Sequence, residues 1–416
     1  MDILIIGSGG REHAIAWKVA QSDSVDTIYC APGNGGTHFE NKCVNVDLHT
    51  IDSLKEFAIE KNIYLTIVGP EEPLTKGVVD AFKSSGLRVF GPSQEAAQLE
   101  GSKIYSKDFM KKYGVKTAEY EVFYDLDCAK KHIALCSYPV VIKADGLAAG
   151  KGVAICNTIE EASTVLEDFM LKDIFSGSGK RVVIEEYLEG VEASILSITD
   201  GNVIIPFLTS KDHKQIYDNN QGPNTGGMGA ISPNPYCTDD VMKEFEENIM
   251  TPTLEGIKKE KLDYIGIIFF GIMITKKGVY LLEYNVRLGD PETQAVLSLM
   301  NSDLFELIET AINKDLSNYI IGWKSQCSCC VIAASGGYPG SYKKGLSIDI
   351  GDIKSSKVFA AGATEKDGRL YTSGGRVLAV TSTGKTLEEA IANAYSDMEK
   401  VTFEGIYYRK DIGKIY

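Results

Sequence analysis

The first hundred residues alternate short apolar runs with segments of helical periodicity, and this alternation limits the possible folds more than any other feature. The apolar runs lie at residues 3–6, 27–30, 65–68 and 88–90. Continuous apolar strands separated by helices are typical of a parallel sheet that is covered on both faces. The sequence therefore predicts a doubly wound parallel α/β domain over residues 1–101.

Beyond residue 101 the pattern changes to short strands with alternating polarity, which predicts α+β structure. A chain of 416 residues is too long for one ordinary core, so several domains are expected. Strand-like runs at 140–143, 153–155 and 182–184, with a Thr-x-x-Glu capping box that begins at Thr158, form one compact unit. The predicted division gives a compact lid-like unit at 123–189, a central body at 102–122 and 190–326, and a small β-rich C-terminal domain at 327–416.

Charge and cysteine content bear on partners and location. The chain carries 43 Lys and Arg against 57 Asp and Glu, a net charge of -14, whereas a nucleic-acid partner would need a basic surface. No apolar run reaches the ~18 residues of a membrane span, and the N-terminus enters a strand without a basic signal region. Nine cysteines in mostly apolar surroundings fit a reducing, cytoplasmic location. The cysteine cluster at residues 327–330 is better explained as a structural strand than as a metal site.

A glycine-rich turn follows the first strand and opens the first helix. Its amides suit an anion at a helix N-terminus, so Gly9, Gly10 and Arg11 are candidate phosphate ligands. Glu12 occupies the place of the third glycine of the dinucleotide fingerprint, which disfavours a nicotinamide cofactor. The alternatives are a phosphorylated small molecule and a tight turn without a ligand. Glu71 follows another strand of the same sheet. It would either face a ribose or an amine of a ligand, or be a solvated charge in a loop.

A second glycine-rich segment joins two strands of the compact unit. Lys143 and Lys151 bring positive charge, and the small residues between them let a backbone loop close over phosphates. It is not a Walker loop, because Gly152 stands where that motif needs Ser or Thr. The pattern predicts a phosphate-covering flap that includes Gly146 and Gly150.

Two further segments have the composition of ligand contacts. Residues 183–192 lead from a buried strand into acidic and apolar residues, which suits either an adenine edge with a ribose or an interdomain hinge with exposed acids. Asp212-His213-Lys214 precedes the glycine-rich residues 222–229. Ordering so many glycines costs conformational entropy, and this cost is usually offset by the close approach of a ligand. His213 itself is interpreted as a structural residue or a phosphate contact rather than a general base.

The strand around residue 283 carries a candidate metal site. Glu283, Asn285 and Arg287 share one face, because successive side chains of a strand point to opposite sides. Two oxygen ligands beside a guanidinium suit a hard divalent cation with bound phosphates. The alternative is a half-buried strand with a solvated charged face.

Together these segments resemble those of the ATP-grasp ligases and, within them, the glycinamide ribonucleotide synthetase family of purine synthesis. The resemblance extends over the whole chain and is carried by residues 7–13, 67–71, 143–152, 223–229 and 287–292. It implies that ATP, glycine and 5-phosphoribosylamine give glycinamide ribonucleotide, ADP and phosphate through a glycyl phosphate. Another ATP-grasp ligase or carboxylase, and a nucleotide-binding regulator without turnover, are the alternative interpretations.

The resemblance also implies a role for each candidate residue. The phosphates and metal of the co-substrate ATP would lie at Lys103 and Lys143, with Mg²⁺ or Mn²⁺ bound by Glu283 and Asn285. The adenosine and the covering flap would involve Glu185, Tyr187, Leu188, Glu192, Gly146, Gly150, Lys151 and Gly152. The glycyl phosphate and phosphoribosylamine would lie near Arg287, Asp290, Gly9, Gly10, Arg11, Glu71 and Asp212.

The expected partners are small molecules, with no nucleic acid and no membrane. We expect a monomer, and a transient contact with the upstream pathway enzyme is a hypothesis that rests on the lability of phosphoribosylamine. One departure from the family pattern concerns the metal. Many ATP-grasp enzymes place another acid on the preceding strand, whereas this chain has Phe269-Phe270-Gly271 there.

Overall fold

A computed structural model describes residues 1–148, 152–175 and 177–414. Its N-terminal part contains strands β1 (Asp2–Gly7), β2 (Thr27–Pro32), β3 (Cys43–Asn45), β4 (Leu65–Val68) and β5 (Val89–Phe90), and helices α1 (Gly10–Val19), α2 (Ile51–Glu60), α3 (Glu71–Thr75) and α4 (Val78–Ser84). The strands form one parallel sheet in the order β3-β2-β1-β4-β5. Alternate residues of β1 enter two separate cores, Leu4 and Ile6 the first, Ile3 and Ile5 the second. The predicted doubly wound domain is confirmed.

Two helices, α5 (Gln98–Gly101) and α6 (Lys103–Tyr113), lead out of this domain. The hydroxyl of Ser102 caps α6 by accepting the amide of Tyr105 at 3.1 Å. Gly114 ends the helix with a φ of 71°, the left-handed conformation that glycine adopts without strain. These caps place Lys103 and the rest of the first turn of α6 at a defined position.

The next unit, called the lid below, contains β6 (Tyr120–Phe123), α7 (Leu126–Ile133), β7 (Val140–Ala144), β8 (Val153–Cys156), α8 (Ile159–Leu166) with a π-helical turn over Glu167–Leu171, and β9 (Val182–Glu186). Its antiparallel sheet has the order β6-β9-β7-β8. Thr158 caps α8 as predicted, by accepting the amide of Glu161 at 3.2 Å. The reciprocal half of the capping box differs, since the Glu161 carboxylate accepts the amide of Asn157 instead of that of Thr158.

The central body contains β10 (Val191–Thr199), β11 (Ile204–Pro206), β12 (Lys211–Asp212), β13 (Gln215–Tyr217), β14 (Gln221–Asn224), β15 (Gly229–Ser232), α9 (Asp239–Phe245), α10 (Thr251–Glu260), β16 (Gly266–Thr275), β17 (Gly278–Asn285), α11 (Glu292–Ser298) and α12 (Leu304–Ile312). A π-helical turn over Glu246–Met250 joins α9 to α10. The main antiparallel sheet has the order β11-β10-β16-β17. The strand with the metal candidates, β17, therefore lies at one end of this sheet.

The C-terminal part contains β18 (Cys327–Ala334), β19 (Ser347–Ile350), β20 (Ser356–Ala360), β21 (Ala363–Lys366), β22 (Arg369–Thr372), β23 (Arg376–Gly384), α13 (Leu387–Met398) and β24 (Val401–Thr402). One of its sheets has the order β12-β15-β18-β23-β20. In it β15 pairs with the C-terminal strand β18, and β12 pairs with β15 at the edge, so neither belongs to the main central sheet. The cysteine cluster lies in β18, where Cys329 and Cys330 are fully buried. The predicted domain boundaries stay a prediction.

Within the part of the chain that the structure describes, no helix is both long and apolar enough to cross a membrane.

Candidate active site

A cleft of about 1150 Å³ brings most of the predicted site residues together. Its walls come from the turn after β1, the start of α3, the flap between β7 and β8, β10, β17, the loop after β14 and the first residue of β23. The predicted residues that line it are Gly9, Arg11, Glu71, Lys103, Gly146, Gly152, Glu192, Asp212, Glu283, Asn285, Arg287 and Asp290. Those described but absent from its lining are Gly10, Lys143, Glu185, Tyr187 and Leu188. The flap residues outside the described ranges are Gly150 and Lys151.

The two metal candidates, Glu283 and Asn285, lie on β17. In the sheet register Gly271 of β16 faces Glu283, and Phe269 faces Asn285, so the neighbouring strand adds no carboxylate at these positions. Among the described residues no group of three or more His, Cys, Asp or Glu side chains forms a metal site. Two protein oxygens suit a cation such as Mg²⁺, which usually takes its other ligands from water and substrate phosphates.

Three lysines act on the charge of Glu283. The Nζ atom of Lys103 donates to Glu283 Oε2 at 2.7 Å. Burial raises the pKa of Glu283, but Lys103, Lys214 and Lys143 outweigh burial and hold that pKa well below its usual range. The carboxylate is therefore ionised at neutral pH, as a metal ligand must be.

Arg287 is held between acids that come from the N-terminal part of the chain. Its Nε lies 3.1 Å from Glu71 Oε2, and its Nη2 lies 2.9 Å from Glu100 Oε1. Its Nη2 also donates to Asn285 Oδ1 at 3.2 Å. Glu100 in turn accepts the amide of Val286 at 2.7 Å. Glu71, predicted near a ribose or an amine, is thus an ion-pair partner of Arg287 in this structure.

Lys143 is engaged in a buried ion pair. Its Nζ lies 2.9 Å from Glu185 Oε2 and donates to the carbonyl of Leu282 at 3.1 Å. Glu185, predicted to line the adenine, is only 3% exposed, and its carboxylate faces lysines instead. Tyr187 and Leu188 follow the end of β9, where Tyr187 is 40% exposed. The geometry therefore gives the Glu185 side chain a partner that the sequence did not indicate.

Asp212 has a half-buried carboxyl group with an open acceptor. Within the described part of the chain, its Oδ1 atom is buried and accepts no hydrogen bond. Burial, followed by the charge of Glu292, raises the pKa of Asp212 well above its usual value. Nearby, Glu292 Oε1 accepts the hydroxyl of Ser194 at 3.0 Å, and Lys214 Nζ pairs with Glu192 Oε2 at 2.5 Å. A donor group on a substrate would suit the open oxygen of Asp212.

The turn after β1 differs from the predicted phosphate cradle. The amide of Gly9 donates to Glu12 Oε2 at 2.6 Å, and the amide of Arg11 donates to Asp290 Oδ2 at 3.2 Å. A Cβ atom on Gly69 would lie 2.2 Å from Glu12 Oε1, so this glycine makes room for Glu12. Carboxylates thus occupy two amides that were expected to face a phosphate, and phosphate binding at this turn stays a prediction that requires them to move.

Arg376 comes into the cleft from the C-terminal part and was missed by the sequence analysis. Its Nη1 donates to the carbonyls of Gly226 and Asp290, both at 2.6 Å, and lies 3.4 Å from Asp290 Oδ1. Arg376 pairs with Ala334 in the β18–β23 register, and this pairing brings it beside the glycine-rich loop. No local motif surrounds Arg376, so only the sheet order could reveal it.

His213 is a structural residue here, which agrees with one of the two predicted interpretations. Its Nδ1 lies 3.3 Å from the carbonyl of Gly229, and its Nε2 accepts the amide of Gly413 at 3.2 Å. Burial, followed by the charges of Arg409 and Lys211, lowers the pKa of His213 to about 4. Both ring nitrogens have backbone partners, so the ring ties β12 to the C-terminal tail.

Family models match the chain in three consecutive parts. Residues 1–100 match the N domain of phosphoribosylglycinamide synthetase, residues 101–293 its ATP-grasp (A) domain, and residues 328–415 its C domain. The chain belongs to the phosphoribosylglycinamide synthetase family. Membership confirms the resemblance to ATP-grasp enzymes. It implies that the protein uses ATP together with a divalent metal ion and acts on small-molecule substrates.

Full-length relatives carry the same description. The chain is 63% identical over 414 residues to a phosphoribosylamine–glycine ligase of Clostridium acetobutylicum, covering 100% of both chains. It is 52% identical to one of Fusobacterium nucleatum, covering 100% of this chain and 99% of the relative. The phosphoribosylamine–glycine ligase structure of Thermotoga maritima has a TM-score of 0.89 at 36% identity, covering 99% of this chain and 100% of that one. A biotin carboxylase of Campylobacter jejuni, with a TM-score of 0.75 at 16% identity and 98% and 92% coverage, shares the fold alone.

In a phosphoribosylglycinamide synthetase the cleft must accept a nucleotide with its metal. Glu283 is ionised and lines the cleft, and Asn285 offers a second oxygen on the same strand face. These residues fit a hard divalent cation, and Lys103 beside them fits the attached phosphates. The roles assigned to individual residues stay predictions.

Proposed function

We propose that this protein joins glycine to 5-phosphoribosylamine at the expense of ATP, giving glycinamide ribonucleotide, ADP and phosphate in purine synthesis. One observation carries the proposal. The ionised side chain of Glu283 lines the same cleft as Asn285, Arg287 and Lys103. This set of charges suits phosphoryl transfer, in which positioning and neutralisation matter more than a general base. The full-length similarity to phosphoribosylamine–glycine ligases supports the choice of substrates.

Side chains in and beside the cleft would supply position and charge to two steps. The glycine carboxylate attacks the γ-phosphorus of ATP, which forms glycyl phosphate and releases ADP. Lys103 and Lys143 would hold the phosphates, and Arg287 would stabilise the acyl phosphate. A Mg²⁺ or Mn²⁺ ion bound by Glu283 and Asn285 would neutralise phosphate charge. The amine of phosphoribosylamine then attacks the acyl carbon, and inorganic phosphate leaves.

The remaining candidate residues would orient the substrates. Glu192 would contact the ribose of ATP, under the flap that includes Gly146 and Gly152. Asp212 would use its open acceptor to orient a substrate donor, and Asp290 would lie near the glycine. We propose that phosphoribosylamine lies near a group of four residues, Gly9, Gly10, Arg11 and Glu71.

Location and partners are also proposed. All nine cysteines are free thiols, which fits a reducing compartment, and we propose the cytoplasm. We propose a monomer whose only regular partners are its small-molecule substrates. A transient contact with the enzyme that supplies phosphoribosylamine would protect this unstable substrate.

The test is ADP release by the purified protein with MgATP and freshly generated phosphoribosylamine, with and without glycine. We expect ADP and glycinamide ribonucleotide only when all three substrates are present. ADP that forms with bicarbonate and without glycine would instead indicate a carboxylase, another ATP-grasp reaction. ATP binding without ADP under every combination would indicate a nucleotide-binding regulator.

A further inference from the structure

A second buried cation, Lys107, faces the carboxylate that holds Lys143. Lys107 lies on α6 and is 2% exposed, with its Nζ 3.2 Å from Glu185 Oε1. Lys143 approaches the other oxygen, Oε2, at 2.9 Å. Among the residues that the structure describes, no group donates a hydrogen bond to Oε1, so the ammonium of Lys107 supplies the charge that compensates this atom. A buried carboxylate without such compensation would be costly.

Lys107 is anchored outside the substrate cleft. Its Nζ donates to Thr117 Oγ1 at 2.7 Å and lies 5.2 Å from the centre of the Tyr120 ring. Thr117 in turn donates to the carbonyl of Leu281 on β17 at 2.6 Å. Lys107 does not belong to the described residues that line the cleft. It therefore connects α6 to the lid and to β17 from outside the cleft.

We propose that Lys107 is a positioning residue for nucleotide binding, which keeps the Lys143 ammonium available to the phosphates of ATP. Two cations share the single carboxylate of Glu185, so neither is fully neutralised. Without the charge of Lys107, Glu185 would neutralise Lys143 alone, and Lys143 would attract phosphate less strongly. The inference rests on the proposed contact of Lys143 with the phosphates of ATP. It does not depend on which substrate finally accepts the glycyl group.

The charge of Lys107 is sensitive to mild alkali. Burial lowers the pKa of Lys107 to about 8, with Glu185 opposing this shift and Lys143 and Lys103 adding to it. Glu185 faces it from β9, Lys143 from β7 and Lys103 from the same helix. Tyr120 of β6 stays neutral, because burial raises its pKa to about 12. The positive charge is present below pH 8 and is lost above it, so affinity for MgATP should fall as pH rises through about 8.

Calorimetric titration of MgATP into the full chain, without glycine or phosphoribosylamine, tests this inference. Lys107→Met keeps a similar length and removes the charge. We expect it to bind MgATP about tenfold more weakly at pH 7, as for the loss of one charge-assisted contact. It should also lack most of the decline in affinity that the unmodified chain shows between pH 7 and 9. The control Lys111→Met, exposed on the same helix, should behave like the unmodified chain.

Unchanged MgATP affinity in Lys107→Met would overturn the proposal, and so would an unmodified chain whose affinity is constant from pH 7 to 9. The second measurement decides the matter if Lys107→Met does not fold. A chain that shows this pH dependence but makes no glycinamide ribonucleotide would refute the proposed function and leave the role of Lys107 standing.

Discussion

Charged side chains in the cleft already have protein partners, which substrates must share or displace. Glu283 pairs with Lys103, Arg287 lies between Glu71 and Glu100, and Glu192 pairs with Lys214. Such pairs hold each group in one orientation before a ligand arrives, so less reorganisation is needed during the reaction. The same pairing means that removing one member affects both.

Glu283→Gln should remove most turnover while the fold persists, because Gln keeps the shape but loses the charge that a cation and Lys103 require. We expect kcat to fall on the order of 10²-fold or more, since even outer contacts of metal sites contribute 10–100-fold. Steady-state rates across a Mg²⁺ titration and Mn²⁺ binding by electron paramagnetic resonance would measure the effect. The exposed Glu255→Gln on α10 is the matched control. Normal turnover of Glu283→Gln at saturating Mg²⁺ would contradict the metal assignment.

Arg376→Gln should lower kcat/KM roughly 10-fold to 100-fold, because it removes charge-assisted hydrogen bonds that position the Gly226 and Asp290 carbonyls. Initial rates with each substrate varied in turn, together with the melting temperature, would separate positioning from unfolding. Arg369→Gln, at the exposed start of β22, is the control. Equal kcat/KM in the two variants would show that Arg376 is dispensable.

Among the structural elements, the β1–α1 turn shows how a glycine-rich motif can serve packing. The Glu12 side chain is held by the Gly9 amide at 2.6 Å and by the Nε of Arg11 at 2.5 Å. A Cβ atom on Gly7 or Gly69 would lie 2.4 Å or 2.2 Å from atoms of this side chain. The glycines thus let a buried acid close the turn.

Gly69→Ala should destabilise the protein by roughly 1–3 kcal/mol, the usual cost of overpacking, because the new methyl group meets Glu12. Urea denaturation would give the free energy of unfolding. The control is Gly322→Ala, whose nearest neighbour would lie at an ordinary 3.5 Å. Adding Glu12→Ala should recover part of the loss, since the clashing partner is gone. A Gly69→Ala chain as stable as Gly322→Ala would disprove the steric argument.

At the scale of the whole molecule, a partly buried cluster of charged groups joins its N-terminal and C-terminal parts. His13 Nε2 lies 3.2 Å from Glu40 Oε2, and Lys357 Nζ donates to the same oxygen at 2.5 Å. His13 Nδ1 accepts the amide of Ala360 at 2.8 Å, and its ring meets Phe359 edge-on at 5.5 Å. The N-terminal sheet domain is therefore tied to the C-terminal sheet through α1 and β20.

Acid should weaken this junction in two steps. Burial lowers the pKa of His13 below its usual value of 6.5. As pH drops below about 6.5, protons therefore bind this histidine in the unfolded chain before they bind it in the folded chain, and stability falls. Burial acts to raise the pKa of Glu40, but His13 and Lys357 outweigh it and lower that pKa from 4.5 to about 2. The contribution of Glu40 is thus present above pH 4.5 and is lost as pH falls towards 2, with a size of about 3 kcal/mol at most.

Glu40→Gln should abolish the lower of these steps. Denaturant unfolding at pH 7, 5 and 3 would compare it with the unmodified chain and with Glu56→Gln, whose carboxylate is exposed on α2. Glu40→Gln should be the least stable of the three at pH 7 and should lose the least stability between pH 5 and 3. Equal losses in that interval would contradict the role of the cluster.

Local periodicity and capping made much of the architecture predictable. The start of α8 follows from its cap residue Thr158, and the order of apolar runs predicted the parallel N-terminal sheet. The spacing of Glu283 and Asn285 predicted a shared strand face, and the structure places both at the cleft. Such features depend on residues within a few positions of each other, so the sequence by itself determined them.

Only the tertiary structure decided which charges meet. It pairs Glu185 with Lys107 and Lys143, brings Arg376 to Asp290, and adds β12 and β15 to the C-terminal sheet. These partners are far apart along the chain, and their distances depend on strand order and register, which local patterns do not encode. Residue type alone does not select the partner, because any lysine can form an ion pair with any nearby carboxylate. The fold selects one arrangement because burial makes every unpaired charge costly.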